Sequence, residues 1–205
     1  MKVLLINGSP NERGCTYTAL SEVAAVLNKN GAETEFVYLG KKETADCIAC
    51  GKCVSAGKCI FDDVNDITSR LDAIDGMIIG SPVYFAGPSG RLTSFLDRLF
   101  FSSSGKWAGK LGASVVSCRR GGASASFDRL NKYFSISNMP IVSSNYWNIV
   151  HGTNPDEVKR DEEGMQTMRI LGENMSWLLR CISEAKKAGV QPPQYEKKIK
   201  TNFIR

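Results

Sequence analysis

No apolar run in this 205-residue chain is long enough to span a bilayer, and the opening "MKVLLINGSP" is too short an apolar stretch for a secretion signal. Those two absences lead us to expect a cytoplasmic protein with no membrane partner. Low-complexity tracts and internal repeats are missing as well, which leaves an ordinary globular composition. The chain has one histidine, His151, read as a surface or interface residue, and no obvious acid–base pair. Three familiar phosphate motifs are also missing. A Walker loop needs four residues between its glycines and then Lys-Ser/Thr, whereas five separate Gly8 from Gly14 and Cys15 follows. The dinucleotide pattern G-x-G-x-x-G does not occur, and a Cys-x5-Arg phosphatase loop fails because Ser124 stands where the arginine would be.

The formal charge is +5, but its placement argues against nucleic acid. Between Lys186 and Arg205 six basic residues face Glu196 alone, so this segment carries the whole excess and the body is formally neutral. We read residues 186–205, which include "QPPQ", as a solvated basic tail and residues 1–185 as one domain.

Within that body, apolar runs alternate with helical patterns. "KVLLIN", "ETEFVYL", "GMIIGSPV", "KLGASVVSC" and "MPIVSSNYW" read as strands. "TYTALSEVAAVLNKNG", "DDVNDITSRLDAID", "SGRLTSFLDRLFF" and "ASFDRLNKYFSISN" read as helices between them. A long helix from Pro155 closes the series, with a break expected near Gly164 or Gly172. Five such alternations predict an α/β protein with a parallel sheet covered on both faces.

Ligands of open parallel sheets sit outside the carboxyl ends of the strands. Three loops there stand out. "NGSPNERGCT" offers hydroxyls, glycine and a helix N-terminus, which suit a monophosphate held without lysine or magnesium. "GSPVYFAGPSG" places Tyr84 and Phe85 at a strand end, where rings either cap the core or lie beside a flat ligand. "SCRRGGAS" has adjacent glycines that admit a planar group and an arginine that can stabilise negative charge on it. Together they describe a site for a mononucleotide with a large aromatic base.

"DCIACGKCVSAGKC" has the spacing C-x2-C-x2-C-x5-C. Zinc sites usually use two C-x2-C pairs well apart. Three thiols at successive intervals on one turning loop resemble the ligation of a cubane cluster, with Cys47, Cys50, Cys53 and Cys59 as ligands. Zinc and free thiols are the alternatives. Disulfides are not expected in a reducing compartment.

"LLINGSPNERGCT", "IIGSPVYFAGPSGRLTSFLDR", the cysteine run before "DD", and "SSNYWNIVHG" with "DEEGMQTMRILGENMSWLL" resemble the NADPH-dependent FMN reductase and iron–sulfur flavoprotein family. The resemblance implies a flavodoxin-like three-layer sandwich with a five-stranded parallel sheet of order 2-1-3-4-5. It also implies FMN as cofactor and NAD(P)H as reductant. By position, Ser9, Asn11, Gly14, Cys15 and Thr16 match the family's phosphate loop. Ser81, Pro82, Val83, Tyr84, Phe85 and Gly87 match the segment beside the flavin ring, and Arg119, Gly121 and Gly122 the loop near its pyrimidine edge. Arg119 is the expected flavin-tuning cation. Two positions depart from the pattern: Cys15 replaces a frequent asparagine, and Ala86 stands where glycine is common.

The resulting expectation is an oxidoreductase that takes electrons from NAD(P)H. It passes them to a small acceptor (flavin, quinone, nitro compound or ferric species) or to a redox protein. The clustered cysteines would carry [4Fe–4S], and the resemblance implies a homodimer or homotetramer. The rival expectations are an electron carrier with no nicotinamide substrate and a zinc-binding module with no enzymatic activity.

Overall fold

The computed structural model describes residues 1–197 together with Ile199, Thr201 and Phe203. Its centre is a parallel sheet built from β1 (Lys2–Asn7), β2 (Glu33–Tyr38), β3 (Gly76–Tyr84), β5 (Leu111–Cys118) and β6 (Ile149–His151), in the order β2-β1-β3-β5-β6. A two-residue strand, β4 (Gly87–Pro88), pairs antiparallel with the end of β3 and lies off this path. With β4 set aside the order is 2-1-3-4-5, that of the flavodoxin-like fold.

Strand alternation assigns side chains to the two faces. Leu4, Ile6, Met77, Ile79 and Val116 point into a core closed by α4 (Gly90–Ser102) and α5 (Ala123–Ile136), where Trp107 and Phe134 are fully buried. Val3, Leu5, Ile78, Ala113 and Val115 point the other way, under α1 (Cys15–Lys29) and α7 (Glu162–Lys187). Burial on both faces explains why these strands read as unbroken apolar runs. Among the described residues no helix is long and apolar enough to cross a membrane.

Two expected elements are drawn differently. The fifth strand is not Met139–Trp147 but the short Ile149–His151, and the earlier stretch meets the sheet in a single bridge of Ile141 to Gly112, made by the Pro140 carbonyl and the Val142 N–H. Pro140 has no N–H to give a ladder. Beyond it, the Ser144 hydroxyl bonds the backbone carbonyl of Tyr146 at 2.6 Å and the Asn148 side chain at 2.7 Å, competing with strand pairing. The helix expected over 62–75 divides into a 3-10 turn, Asp62–Val64, then α3 (Asn65–Ser69), then a second 3-10 turn, Leu71–Ala73. Thr68 and Ser69 hydroxyls bond back to the carbonyls of Asn65 and Asp66, which weakens a continuous helix.

The last helix breaks at Asp161, between α6 (Pro155–Arg160) and α7, near Gly164 and away from Gly172. Asp161 caps α7 by accepting the Gly164 N–H at 3.0 Å. Gly172 serves packing: a β-carbon there would meet Val26 of α1 at 2.7 Å. Of the basic tail, Lys198, Lys200 and Arg205 lie outside the described residues.

Candidate functional site

The loop after β1 is shaped by its own polar side chains. Asn7 accepts the Ser9 N–H at 3.1 Å and donates to the Glu12 carbonyl at 2.9 Å. Ser9 in turn accepts the Asn11 N–H at 3.1 Å, and Gly14 N–H bonds the Asn11 carbonyl at 3.2 Å. Gly8 admits no side chain, since a β-carbon would stand 2.7 Å from Leu92. The turn delivers the chain to α1, whose N-cap is Gly14. No side chain caps that end among the described residues, and its first turn carries no acid. The leading N–H groups and the positive end of the helix dipole are therefore available to an anion.

Within this loop the candidate residues differ in what their side chains can offer. Ser9 is buried against the turn. Thr16 is buried too, and its hydroxyl shares a 2.8 Å hydrogen bond with Ser117 at the end of β5, so at this position it is the backbone that can meet a ligand. The Cys15 thiol reaches toward the Gly152 carbonyl at 3.8 Å, and burial pushes its pKa up, keeping it a neutral donor.

At the end of β3, Ser81 is fully buried. Its oxygen accepts the Ser89 N–H at 2.9 Å, and its hydroxyl donates to the Pro82 carbonyl at 2.8 Å. Ser89 donates to the Gly8 carbonyl at 2.8 Å, locking the first and second loops together. Ser81 thus belongs to the scaffold of the site. Phe85 and Ala86 then form a two-residue turn between β3 and β4, with φ of 49° and 59°. Positive φ at both central positions is the demand of a type I′ hairpin turn, normally met by Asn-Gly. The turn carries Phe85 wholly into solvent and leaves Tyr84 half exposed, so neither ring caps the core.

The third loop lies against this hairpin. Gly122, at φ 85°, is so close to it that a β-carbon would sit 2.7 Å from Ala86 Cα and 3.1 Å from Val83. Arg119 and Gly121 are exposed just after β5. The carboxyl ends of β1, β3 and β5 thereby bring the three predicted segments to one rim. Other contributors were not read from sequence. The Tyr38 hydroxyl donates to the Pro10 carbonyl at 2.7 Å, and Lys41, Thr153 and Asn154 line a shallow concavity with Asn11–Cys15. Nothing local in the sequence marks them, because they come from the ends of β2 and β6. His151 is exposed and its N–H bonds Asp161 at 2.6 Å.

The second candidate site follows β2. Cys47, Cys50, Cys53 and Cys59 line one hollow whose walls include Ile60, Phe61 and Arg98. A short helix, α2 (Lys52–Ala56), is flanked by Gly51 and Gly57, both at φ 68°, which lets the chain wrap. All four thiols are free; Cys47 and Cys50 are exposed, Cys53 and Cys59 half-buried. Cys59 is anchored, its N–H donating to Asn65 Oδ1 and its carbonyl accepting from Asn65 Nδ2, each at 2.9 Å. Among the described residues no three His, Cys, Asp or Glu side chains are grouped to share one ion. Binding would draw the exposed limb, Cys47 and Cys50, toward the anchored one. Four thiol donors lining one hollow on a glycine-hinged loop fit the cysteine ligation of a four-iron cluster.

A family model described as NADPH-dependent FMN reductase matches residues 1–154. An iron-sulfur flavoprotein of Methanocaldococcus jannaschii is 34% identical over 195 residues, covering 90% of this chain and 100% of the relative. An iron-sulfur flavoprotein of Methanosarcina thermophila is 28% identical over 189 residues, covering 90% of this chain and 98% of the relative. Among solved structures, RosB with bound 8-demethyl-8-formylriboflavin-5′-phosphate aligns with a TM-score of 0.67 at 16% identity, over 99% of this chain and 92% of RosB. That last likeness concerns the fold alone.

Proposed function

This chain belongs to the NADPH-dependent FMN reductase family, and from that membership we propose that it is an FMN-dependent oxidoreductase fed by NAD(P)H. Its acceptor is a small molecule (flavin, quinone, nitro compound or ferric species) or a redox protein. The observation that carries this reading is the uncapped start of α1, held at the carboxyl edge of β1 by the Asn7–Ser9–Asn11 hydrogen bonds and flanked by the hairpin and the glycine pair. Such an end takes one phosphate through backbone amides.

The N–H groups after Gly14 hold the phosphate, with Ser9, Asn11 and Cys15 lining it. Tyr84, Phe85 and Gly87 flank the ring on one side, and Gly121 and Gly122 let it approach the third loop. Arg119 supplies positive charge near the ring's pyrimidine edge. When bound, FMN supplies a centre that accepts a hydride and releases electrons singly or in pairs. Cys47, Cys50, Cys53 and Cys59 hold [4Fe–4S], a single-electron relay. Exposed Phe85, Tyr146 and Trp147 support a contact with a second copy, in a homodimer or homotetramer.

Anaerobic purification tests the reading. The protein should carry a flavin spectrum with iron and sulfide near four per chain. NADPH or NADH should bleach the flavin under nitrogen, and a quinone or ferric compound should restore it. A second reading, an electron carrier without a nicotinamide substrate, draws support from the four cysteines at one hollow and from the names of the two relatives. It prevails if neither nucleotide reduces the bound flavin. A colourless protein with stoichiometric zinc would leave only a zinc-binding module.

A further inference from the structure

Arg98 lies on α4, far in sequence from the cysteine run, yet its side chain is only 1% exposed and lines the same hollow as the four thiols. Its guanidinium makes a two-pronged pair with Asp63, one prong running 2.6 Å from Nη2 to Oδ2. Nε donates to the Ser94 carbonyl at 3.3 Å, and the guanidinium sits 5.4 Å over the Phe61 ring. Cys59 and Arg98 line that hollow together. Among the described residues it is the one charged side chain in the hollow's wall.

The pair is lopsided. Asp63 is 44% exposed, so water screens its carboxylate, while the cation it faces is nearly dry. If the pair served only to fasten residues 59–65 to α4, apolar packing would do as well or better, since burying an ion carries a desolvation penalty. Four thiolate ligands, by contrast, bring several negative charges to one low-dielectric pocket, and a fixed cation beside them is strongly favourable. An arginine suits this role because it stays charged at every working pH.

We propose that Arg98 is the built-in counter-charge of the four-cysteine site, favouring the more reduced state of the centre that those cysteines bind. The inference rests on the cluster reading above. One-electron reduction adds one negative charge and no proton, and a nearby positive charge makes that addition easier. Arg98 is a positioning residue in this scheme, and Asp63 moderates it.

The sign of the effect provides the test. Anaerobically purified holoprotein is titrated with dithionite and redox mediators, the cluster potential is followed by electron paramagnetic resonance, and iron and sulfide are assayed in parallel. Arg98→Gln should disfavour reduction about tenfold, ~59 mV for a one-electron couple. Asp63→Asn should move the potential the opposite way, and Arg98→Lys should stay near wild type. A merely structural pair would change iron content without opposed shifts. Equal potentials in Arg98→Gln and wild type, or shifts of one sign in both variants, overturn the inference while leaving the cluster reading intact. A wild-type protein without iron overturns both. Should Arg98→Gln fail to fold, the upward shift expected of Asp63→Asn decides alone.

Discussion

Gly122 faces Ala86 so closely that a β-carbon on the glycine would lie 2.7 Å from the alanine's Cα. This contact is where the loop after β5 rests on the β3–β4 hairpin, and it sets how far apart the two walls of the proposed flavin site stand. Gly122 also holds φ at 85°, which side chains rarely adopt. Gly122→Ala therefore meets strain and a clash together, at a cost of about 1–3 kcal/mol. FMN affinity, measured by quenching of flavin fluorescence, should fall about tenfold or more, with helix content unchanged by circular dichroism.

Ala86 carries the complementary strain. A type I′ turn asks its second residue for positive φ, and alanine supplies 59° only by crowding its own β-carbon. Ala86→Gly removes that crowding and the approach to Gly122, at the expense of extra freedom in the unfolded chain. The net gain should be about 0.5–1 kcal/mol, seen as a rise of about 1–4 °C in Tm by calorimetry. FMN binding should persist, since backbone geometry is retained.

Much of this was legible because burial on both faces of a parallel strand leaves an unbroken apolar run. "KVLLIN" and "GMIIGSPV" could hardly be anything else; Gly-Ser-Pro follows the first and lies in the carboxyl half of the second, toward the rim of the sheet. The last strand was misread because Met139–Val142 is apolar enough for one, yet Pro140 and the Ser144 hydroxyl remove the ladder it needs. Ser81 matches the segment beside the flavin ring by resemblance, and nothing in the sequence marks that its side chain is engaged by the Ser89 amide, eight residues on. The cysteine spacing announced a shared site. Arg98 and Asn65 gave no such signal, because contacts between separate elements leave no local pattern.

Glu35 on the edge strand β2 offers a pH test far from either site. Arg70 grips its carboxylate with both terminal guanidinium nitrogens, at 2.7 and 2.6 Å, and Lys2 approaches at 2.9 Å. Arg70 first, then Lys2, pulls the Glu35 pKa down to about 2. A carboxylate with a lowered folded-state pKa contributes stability above its unfolded value, and that contribution drains away as pH falls toward about 2. Because the network is partly solvated, Glu35→Gln should cost about 1 kcal/mol at pH 7. In urea melts the gap to wild type should narrow steadily below pH 4.5 and close near pH 2.

Asn65 separates the assembly of the cysteine site from that of the flavin rim. Its amide holds Cys59 through both backbone groups at 2.9 Å, fixing one thiol before anything binds. Asn65→Ala frees that limb and leaves a half-buried N–H and carbonyl without their partner, a loss of about 1–3 kcal/mol locally. Iron per chain after anaerobic purification should drop well below wild type, while flavin content stays at one, because the rim is built from β1, β3 and β5. Serine at Cys47, Cys50, Cys53 or Cys59 should abolish iron binding with the same sparing of flavin. Serine at Cys181, exposed on α7 and outside the hollow, should alter neither. Undiminished iron after replacement of any one of the four would mean that this thiol is not a ligand.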